Sequence, residues 1–125
     1  MSHTPIVEQF INSMVSECHR RSKEAGWWDG QYWARDHNVV PAKLALIHSE
    51  ISEALEGARK GCMDDHLPHR TMFEVELADA MIRIFDLAGA TGLDLGGAFV
   101  EKLEYNLHRA DHKRENREKP GGKKI

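Results

Sequence analysis

Apolar residues recur along most of this chain at intervals of three and four positions, the spacing of one face of an α-helix. No run alternates apolar and polar residues for long enough to predict a strand. The pattern therefore predicts an all-α protein, and a four-helix bundle is the simplest way to pack its helices. The predicted helices run from Pro5 to about Ala25, from Val40 or Pro41 to Gly61, from the N-cap Thr71 to the region of Gly89 and Gly92, and from the cap Asp94 onward.

The predicted helix ends and apolar stripes carry specific signals. Thr71 is followed three positions later by Glu74, which is the pattern of a capping box, and Gly61 is typical of a helix C-terminus. Each helix also has a stripe of apolar residues that we expect to face the core. These stripes include Leu44, Ile51 and Leu55 in the second helix and Ala98, Phe99, Leu103 and Leu107 in the fourth.

Length and composition are those of one ordinary domain. The 125 residues allow one core of modest size, so we predict a single domain over residues 1–113 and a basic, flexible tail over residues 114–125. Charged residues make up 30% of the chain and the net charge is −3, which argues against a nucleic-acid polymer as partner. Cys18 and Cys62 lack the spacing of a disulfide framework, and no segment approaches the roughly 20 apolar residues of a membrane span. We expect a cytoplasmic protein with reduced thiols.

Two pairs of carboxylates stand out within the predicted helices. Glu50 and Glu53 form one pair in the second helix, and Glu76 and Asp79 form the other in the third. Residues three positions apart leave a helix from the same face, so each helix offers two carboxylates side by side. One such pair is usually only a solvated surface, but here both pairs lie among apolar neighbours, which places acids near the interior of the bundle.

Four converging carboxylates would repel one another strongly unless a cation lies between them. All-oxygen ligation favours Mg²⁺, with Mn²⁺ as a substitute, over zinc or iron. A ferritin-type di-iron site would require histidine at the fourth position of the motif, and none is present. Because Mg²⁺ keeps water positions that phosphate oxygens can replace, the site predicts a phosphorylated substrate.

The fourth helix carries a polar stripe that can bind such phosphates. Lys102, Asn106, Arg109 and Lys113 fall on one face at helical spacing. The alternative is a basic surface without a ligand.

The segment between the first two helices is rich in aromatic residues and has no period of its own. Its indoles offer flat surfaces on which a base can stack, and neighbouring polar side chains can bind a base edge through hydrogen bonds. The alternative is that the tryptophans belong to the core or to a subunit interface. The candidate base-binding residues are Trp27, Trp28, Trp33, Asn38 and His48.

In these motifs the chain resembles the MazG-type all-α nucleoside triphosphate pyrophosphohydrolases, a superfamily that includes the dimeric dUTPases and phosphoribosyl-ATP pyrophosphatase. The resemblance covers residues 42–113 and rests on the segments KLALIHSEISEALEG, EVELADAMIRI and KLEYNLHR. It implies a magnesium-binding role for both acid pairs and a phosphate-contacting role for Lys102, Asn106 and Arg109. It also implies assembly as a homodimer or homotetramer, in which the aromatic connector or the basic tail reaches across an interface.

The implied reaction is hydrolysis of a nucleoside or deoxynucleoside triphosphate to the monophosphate and pyrophosphate, in the service of nucleotide-pool cleaning or balancing. Many members of the family have a further glutamate before the first motif acid, where this chain has Ser49. We therefore assign the base that activates water to Glu50, with Glu53 as the second choice. The alternatives are a phosphoribosyl-ATP-type pyrophosphohydrolase and a non-catalytic, cation-binding oligomeric bundle.

Overall fold

A computed structural model describes residues 4–125 of the chain, and the regular elements in this range are helices joined by turns and loops. An isolated β-bridge joins Met63 and Thr71, and no β-strand is present in the described range. The predicted all-α class is therefore confirmed. The helices are α1 (Thr4–Glu24), α2 (Val39–Lys60), α3 (Met72–Thr91), α4 (Leu95–His108) and α5 (Arg114–Arg117), with a 3₁₀ turn over Ala110–His112.

The described residues fall into two compact units. The larger unit comprises Met14–Leu93, and the smaller unit comprises residues 4–13 together with Asp94–Ile125. Both acid pairs and the aromatic connector belong to the larger unit. The polar stripe of α4 belongs to the smaller one.

In the larger unit, α2 and α3 pack along each other. Small residues are buried on both helices, namely Ala54 and Gly57 on α2 and Ala80 on α3. Gly57 lies at the closest approach, where an added Cβ would stand 2.9 Å from the side chain of Met72. This close packing is what brings acids of the two helices together.

The ends of α2 and α3 follow the predicted signals. Gly61 adopts the left-handed conformation with φ of 63° and donates its N–H to the carbonyl of Gly57, ending α2. At the start of α3 both bonds of the capping box are present: the Thr71 hydroxyl accepts from the N–H of Glu74, and the Glu74 carboxylate accepts from the N–H of Thr71. Both predicted boundaries are confirmed.

In the smaller unit, the start of α4 is held against the first part of α1. The Asp94 carboxylate accepts from the N–H of Gly97 and from the Asn12 side chain, each at 2.9 Å. The side-chain oxygen Oδ1 of Asn12 in turn accepts from the N–H of Gly96 at 2.8 Å. Asp94 is therefore the cap that the sequence predicts, and Asn12 is a second partner that sequence spacing does not reveal.

The buried core is smaller than the apolar stripes predict. In α4 the buried residues are Gly96, Gly97 and Val100, whereas the predicted core residues Phe99, Leu103 and Leu107 are exposed, so that prediction is wrong. In α2, Leu44, Ile51 and Leu55 are also exposed, Leu55 to 63%. Helical spacing predicts a shared face correctly but cannot tell whether the face packs against the same chain.

The basic tail has more local structure than predicted. Arg117 in α5 donates from its guanidinium to the backbone carbonyls of Lys123 and Lys124, and Asn116 donates to the carbonyl of Ala110. Among residues 4–125, no helix combines the length and apolar character that crossing a membrane requires.

Candidate functional site

Three of the four predicted acids meet in the larger unit. One carboxylate oxygen from each of Glu50, Glu76 and Asp79 lies within 4.8 Å of the other two. Glu50 extends from α2, and the other two leave α3 from one face because they are three residues apart. The convergence that the paired spacing predicts is therefore present between these three side chains, which we call the three-acid group.

Glu76 is the buried member of the three-acid group. Its hydrogen bond to Glu50, followed by burial and the negative charges of Glu50, Asp79 and Glu53, raises the pKa of Glu76 to about 8. Without a cation the group therefore retains a proton at neutral pH, and that proton is shared between two facing carboxylates.

The pKa of Asp79 is also raised, first by burial and then by the charge of Glu50. The hydrogen bond from Glu76 and the charge of Arg83 act in the opposite direction. Both α3 acids are therefore harder to ionise than in water, and a bound cation would act in the opposite direction because it stabilises the ionised carboxylates.

Glu53 lies outside the three-acid group and is exposed. It is nevertheless close enough for its charge to raise the pKa of Glu76. Ser49, which stands where many members of the resembled family have an acid, donates its hydroxyl to the carbonyl of Leu46 at 2.6 Å. Ser49 therefore bonds to its own helix and supplies no base.

Arg83 is a partner of the three-acid group that the sequence analysis missed. Its Nε donates to Oε1 of Glu50 at 2.9 Å, and Glu50 is only 14% exposed. The residue lies one turn beyond Asp79 on α3. The signal was present in the sequence, since positions 76, 79, 83 and 86 share one helical face.

The residues of the three-acid group fit a hard divalent cation. Carboxylate oxygens about 2 Å from Mg²⁺ in octahedral geometry stand roughly 3 to 4 Å from one another, so the observed spread needs only a small contraction. The proton of Glu76 and the Arg83 guanidinium that is bonded to Glu50 already supply positive charge at this position. A cation would take over the role of that proton.

A cavity of about 800 Å³ borders the three-acid group. Glu50 and Asp79 form part of its wall, and Trp27 and Trp28 from the connector form another part. Cys18 also borders the cavity, and burial raises the pKa of its thiol, so that it is a poor nucleophile. All residues of this wall belong to the larger unit.

Trp27 and Trp28 differ in the contacts that their indole rings make and in their exposure. The indole N–H of Trp28 donates to Asp86 at 2.8 Å, and the ammonium of Lys43 lies 4.4 Å from its ring centre. Trp27 is 69% exposed and has a free ring. Trp27 is therefore the better placed for stacking, and Trp28 is held as part of the wall.

The other predicted base-binding residues are not part of this wall, since Trp33, Asn38 and His48 do not border the cavity. Asn38 precedes α2 as its N-cap residue, and its side chain makes no capping hydrogen bond. His48 is exposed on α2.

The predicted phosphate-binding residues have local partners in the smaller unit. Lys102 lies 4.6 Å from the ring centre of Tyr105, and Arg109 donates to both oxygens of Asp111. Oδ1 of Asn106 is buried and has no hydrogen-bond partner within the described residues. The cavity of the larger unit has cations of its own, including Lys43 and Arg83.

Comparisons with known proteins give no match to a family model, to a curated protein or to a solved structure. The three-acid group and the cavity beside it are therefore the features that bear on function.

Proposed function

We propose that this chain is a magnesium-dependent pyrophosphohydrolase that converts a nucleoside or deoxynucleoside triphosphate to the monophosphate and pyrophosphate. One observation carries the proposal: acids from two different helices converge on the wall of a cavity that also presents indole rings. Carboxylates that bind a metal, next to aromatic surfaces that bind a base, are what a nucleotide polyphosphate requires. The resemblance to the MazG-type family supports the same reaction and a four-helix bundle of that type.

Each residue of the site has its own role in the proposed reaction. Glu50, Glu76 and Asp79 hold Mg²⁺, or Mn²⁺ in its place, and Glu53 joins them from the edge of the group. A cation held by these residues would lower the pKa of the attacking water and neutralise charge on the phosphate oxygens. Glu50 takes the proton of the attacking water, with Glu53 as the second choice. For Lys102, Asn106 and Arg109 of the smaller unit, the family resemblance implies a phosphate-binding role.

The proposed assembly is a homodimer or homotetramer. In the larger unit, α2 and α3 each carry an exposed apolar stripe, which we call the outer stripes: Leu44, Ile51 and Leu55 on α2, and Leu77, Met81 and Ile84 on α3. Exposed apolar surface of this extent is typical of a face that another subunit covers.

The test is pyrophosphate release from a panel of ribo-, deoxyribo- and modified nucleoside triphosphates, with Mg²⁺, with Mn²⁺ and with chelator. We expect metal-dependent release from at least one substrate, and a loss of about a hundredfold or more in Asp79→Asn, because a metal ligand becomes neutral. Glu56→Gln is the matched control, since Glu56 lies on α2 but pairs with Arg59 and Lys60. It should retain activity within about twofold.

A second function is favoured by the ion pair between Arg83 and Glu50. Such a pair gives Glu50 a structural partner within the chain. The chain would then be a non-catalytic oligomeric bundle in which the remaining acids bind a cation. In that case no triphosphate, phosphoribosyl-ATP included, releases pyrophosphate, and Asp79→Asn changes the thermal stability but no turnover. Release of pyrophosphate from phosphoribosyl-ATP alone would keep the reaction and change the substrate.

A further inference from the structure

Asp86 is a third acid on the face of α3 that carries Glu76 and Asp79. Two side chains fix its orientation. Its Oδ1 accepts from Nε1 of Trp28 at 2.8 Å and lies 2.9 Å from Nδ1 of His19. The rings of His19 and Trp28 meet edge to face with 5.7 Å between their centres, so the two partners also support each other. The Asp86 side chain is 15% exposed and cannot turn away without losing both contacts.

The other oxygen of this carboxylate is available to a ligand. Oδ2 accepts no hydrogen bond from any residue in the range 4–125, and Asp86 forms part of the cavity wall. A carboxylate oxygen is a hydrogen-bond acceptor, and an N–H group is a strong partner for it. Asp86 is therefore prepared to accept a hydrogen bond from a donor inside the cavity.

The position of Asp86 along α3 matches the dimensions of a nucleotide. Asp86 lies seven positions after Asp79, which is about two turns, or about 10.5 Å, along the helix axis. Both residues lie on the same face. With phosphates at the three-acid group, the sugar separates them from the base and places the base further along α3. Trp27, the exposed indole of the cavity, borders the same space.

We propose that Asp86 determines base specificity by accepting a hydrogen bond from an exocyclic amine, so that the substrates are cytosine, adenine or guanine nucleotides rather than uracil, thymine or hypoxanthine nucleotides. The proposal rests on the proposed function for the placement of the phosphates. If a keto oxygen took the place of the amine, two acceptors, this oxygen and Oδ2, would face each other. Neither would then have a hydrogen-bond donor at that position. Sites that pair with a polar group discriminate strongly against analogues that lack it.

The experiment compares kcat/KM for two substrate pairs, dCTP with dUTP and ATP with ITP. We expect the parent protein to prefer the amine-bearing member by on the order of tenfold to a hundredfold, as for a hydrogen bond to a charged group. In Asp86→Asn the side-chain oxygen can still accept from Trp28, while the amide N–H can donate to a keto oxygen. The preference should therefore disappear or reverse, with dUTP gaining in absolute kcat/KM.

Glu17→Gln is the matched control, because Glu17 also borders the cavity but its carboxylate is bonded to Arg20 and Arg21. Its substrate ratios should equal those of the parent. If Asp86 only supports the fold, Asp86→Asn lowers kcat/KM for both members equally and leaves the ratio unchanged, which overturns the proposal. If this variant does not fold, the ratio of kcat/KM for dCTP and dUTP in the parent protein is the test. Equal values for the two substrates would also overturn the proposal.

Failure of the proposed function is distinguishable from failure of this inference. If the parent releases no pyrophosphate from any substrate, binding of CMP and UMP is measured through quenching of tryptophan fluorescence. Tighter binding of CMP, lost in Asp86→Asn, supports the base-reading role without the reaction. Equal affinity for the two monophosphates overturns it.

Discussion

At the scale of single residues, Glu76 is a carboxylic acid that keeps its proton at neutral pH. Its hydrogen bond to Glu50 and its burial raise the pKa to about 8, from an ordinary value of 4.5. An unfolded chain would lose this proton near its ordinary pKa, whereas the folded chain retains it over several pH units. The folded state thus binds more protons between these two values, and folding is coupled to pH.

We predict that the metal-free protein becomes less stable as the pH rises from about 5 to about 8, because the stability linked to the Glu76 proton is present below the unfolded pKa and is lost as the folded pKa is reached. The thermal midpoint in chelator should fall by at least about 5 °C over this range, since about 1 kcal/mol shifts the midpoint of a chain of this size by that much. In Glu76→Gln, a neutral side chain of the same shape, this part of the pH dependence should be absent. An equal fall in Glu76→Gln would contradict the assignment.

Other features at the residue scale depend on contacts that no local pattern contains. The acid pairs were predictable because helical spacing fixes which side chains share a face. The partners of Trp28 were not, since Asp86 lies 58 residues away in sequence. Arg83 and Asp86 continue the face of Glu76 and Asp79, so the same periodicity could have included them.

At the scale of elements, the contact between α2 and α3 determines whether the three-acid group can form. Gly57 allows this contact, because an added Cβ would stand 2.9 Å from Met72 and from the backbone nitrogen of Phe73. The caps at Gly61, Thr71 and Asp94 were predictable because each acts through atoms within a few residues. Which small residue marks the closest approach was not predictable, since that depends on the partner helix.

We predict that Gly57→Ala destabilises the protein by about 1 to 3 kcal/mol through overpacking, although alanine is the better helix former. Chemical denaturation measures the free energy of unfolding. The exposed Ser52→Ala on the same helix is the control and should change it by less than about 0.5 kcal/mol. A stabilised Gly57→Ala would mean that the two helices are further apart than described.

At the scale of the whole molecule, the amount of exposed apolar surface exceeds what the small core would lead one to expect. The outer stripes are the clearest example, with Leu55 and Met81 exposed to 63% and 53%. Periodicity alone assigned part of this surface to the core. A stripe that packs against a second copy has the same spacing as one that packs within the chain, so the sequence could not separate the two.

We predict that the protein in solution has the mass of two or four chains, measured by light scattering after gel filtration. Leu55→Glu and Met81→Glu should shift the mass towards one chain, because a charge at a buried apolar contact loses its hydration. Leu67→Glu is the control, since Leu67 is also exposed but lies in the loop between α2 and α3. A parent protein with the mass of one chain would exclude the assembly.

The proton held by Glu76 has a further consequence for how the site responds to its surroundings. Glu76 cannot ligate a cation and remain protonated, so occupation of the three-acid group expels one hydrogen ion into the medium. The heat measured by titration calorimetry should then vary with the ionisation enthalpy of the buffer. Below the pKa of Glu76, occupancy should also rise with pH, by about tenfold in affinity for each pH unit. The occupancy of the site would thereby depend on acidity as well as on the supply of the cation.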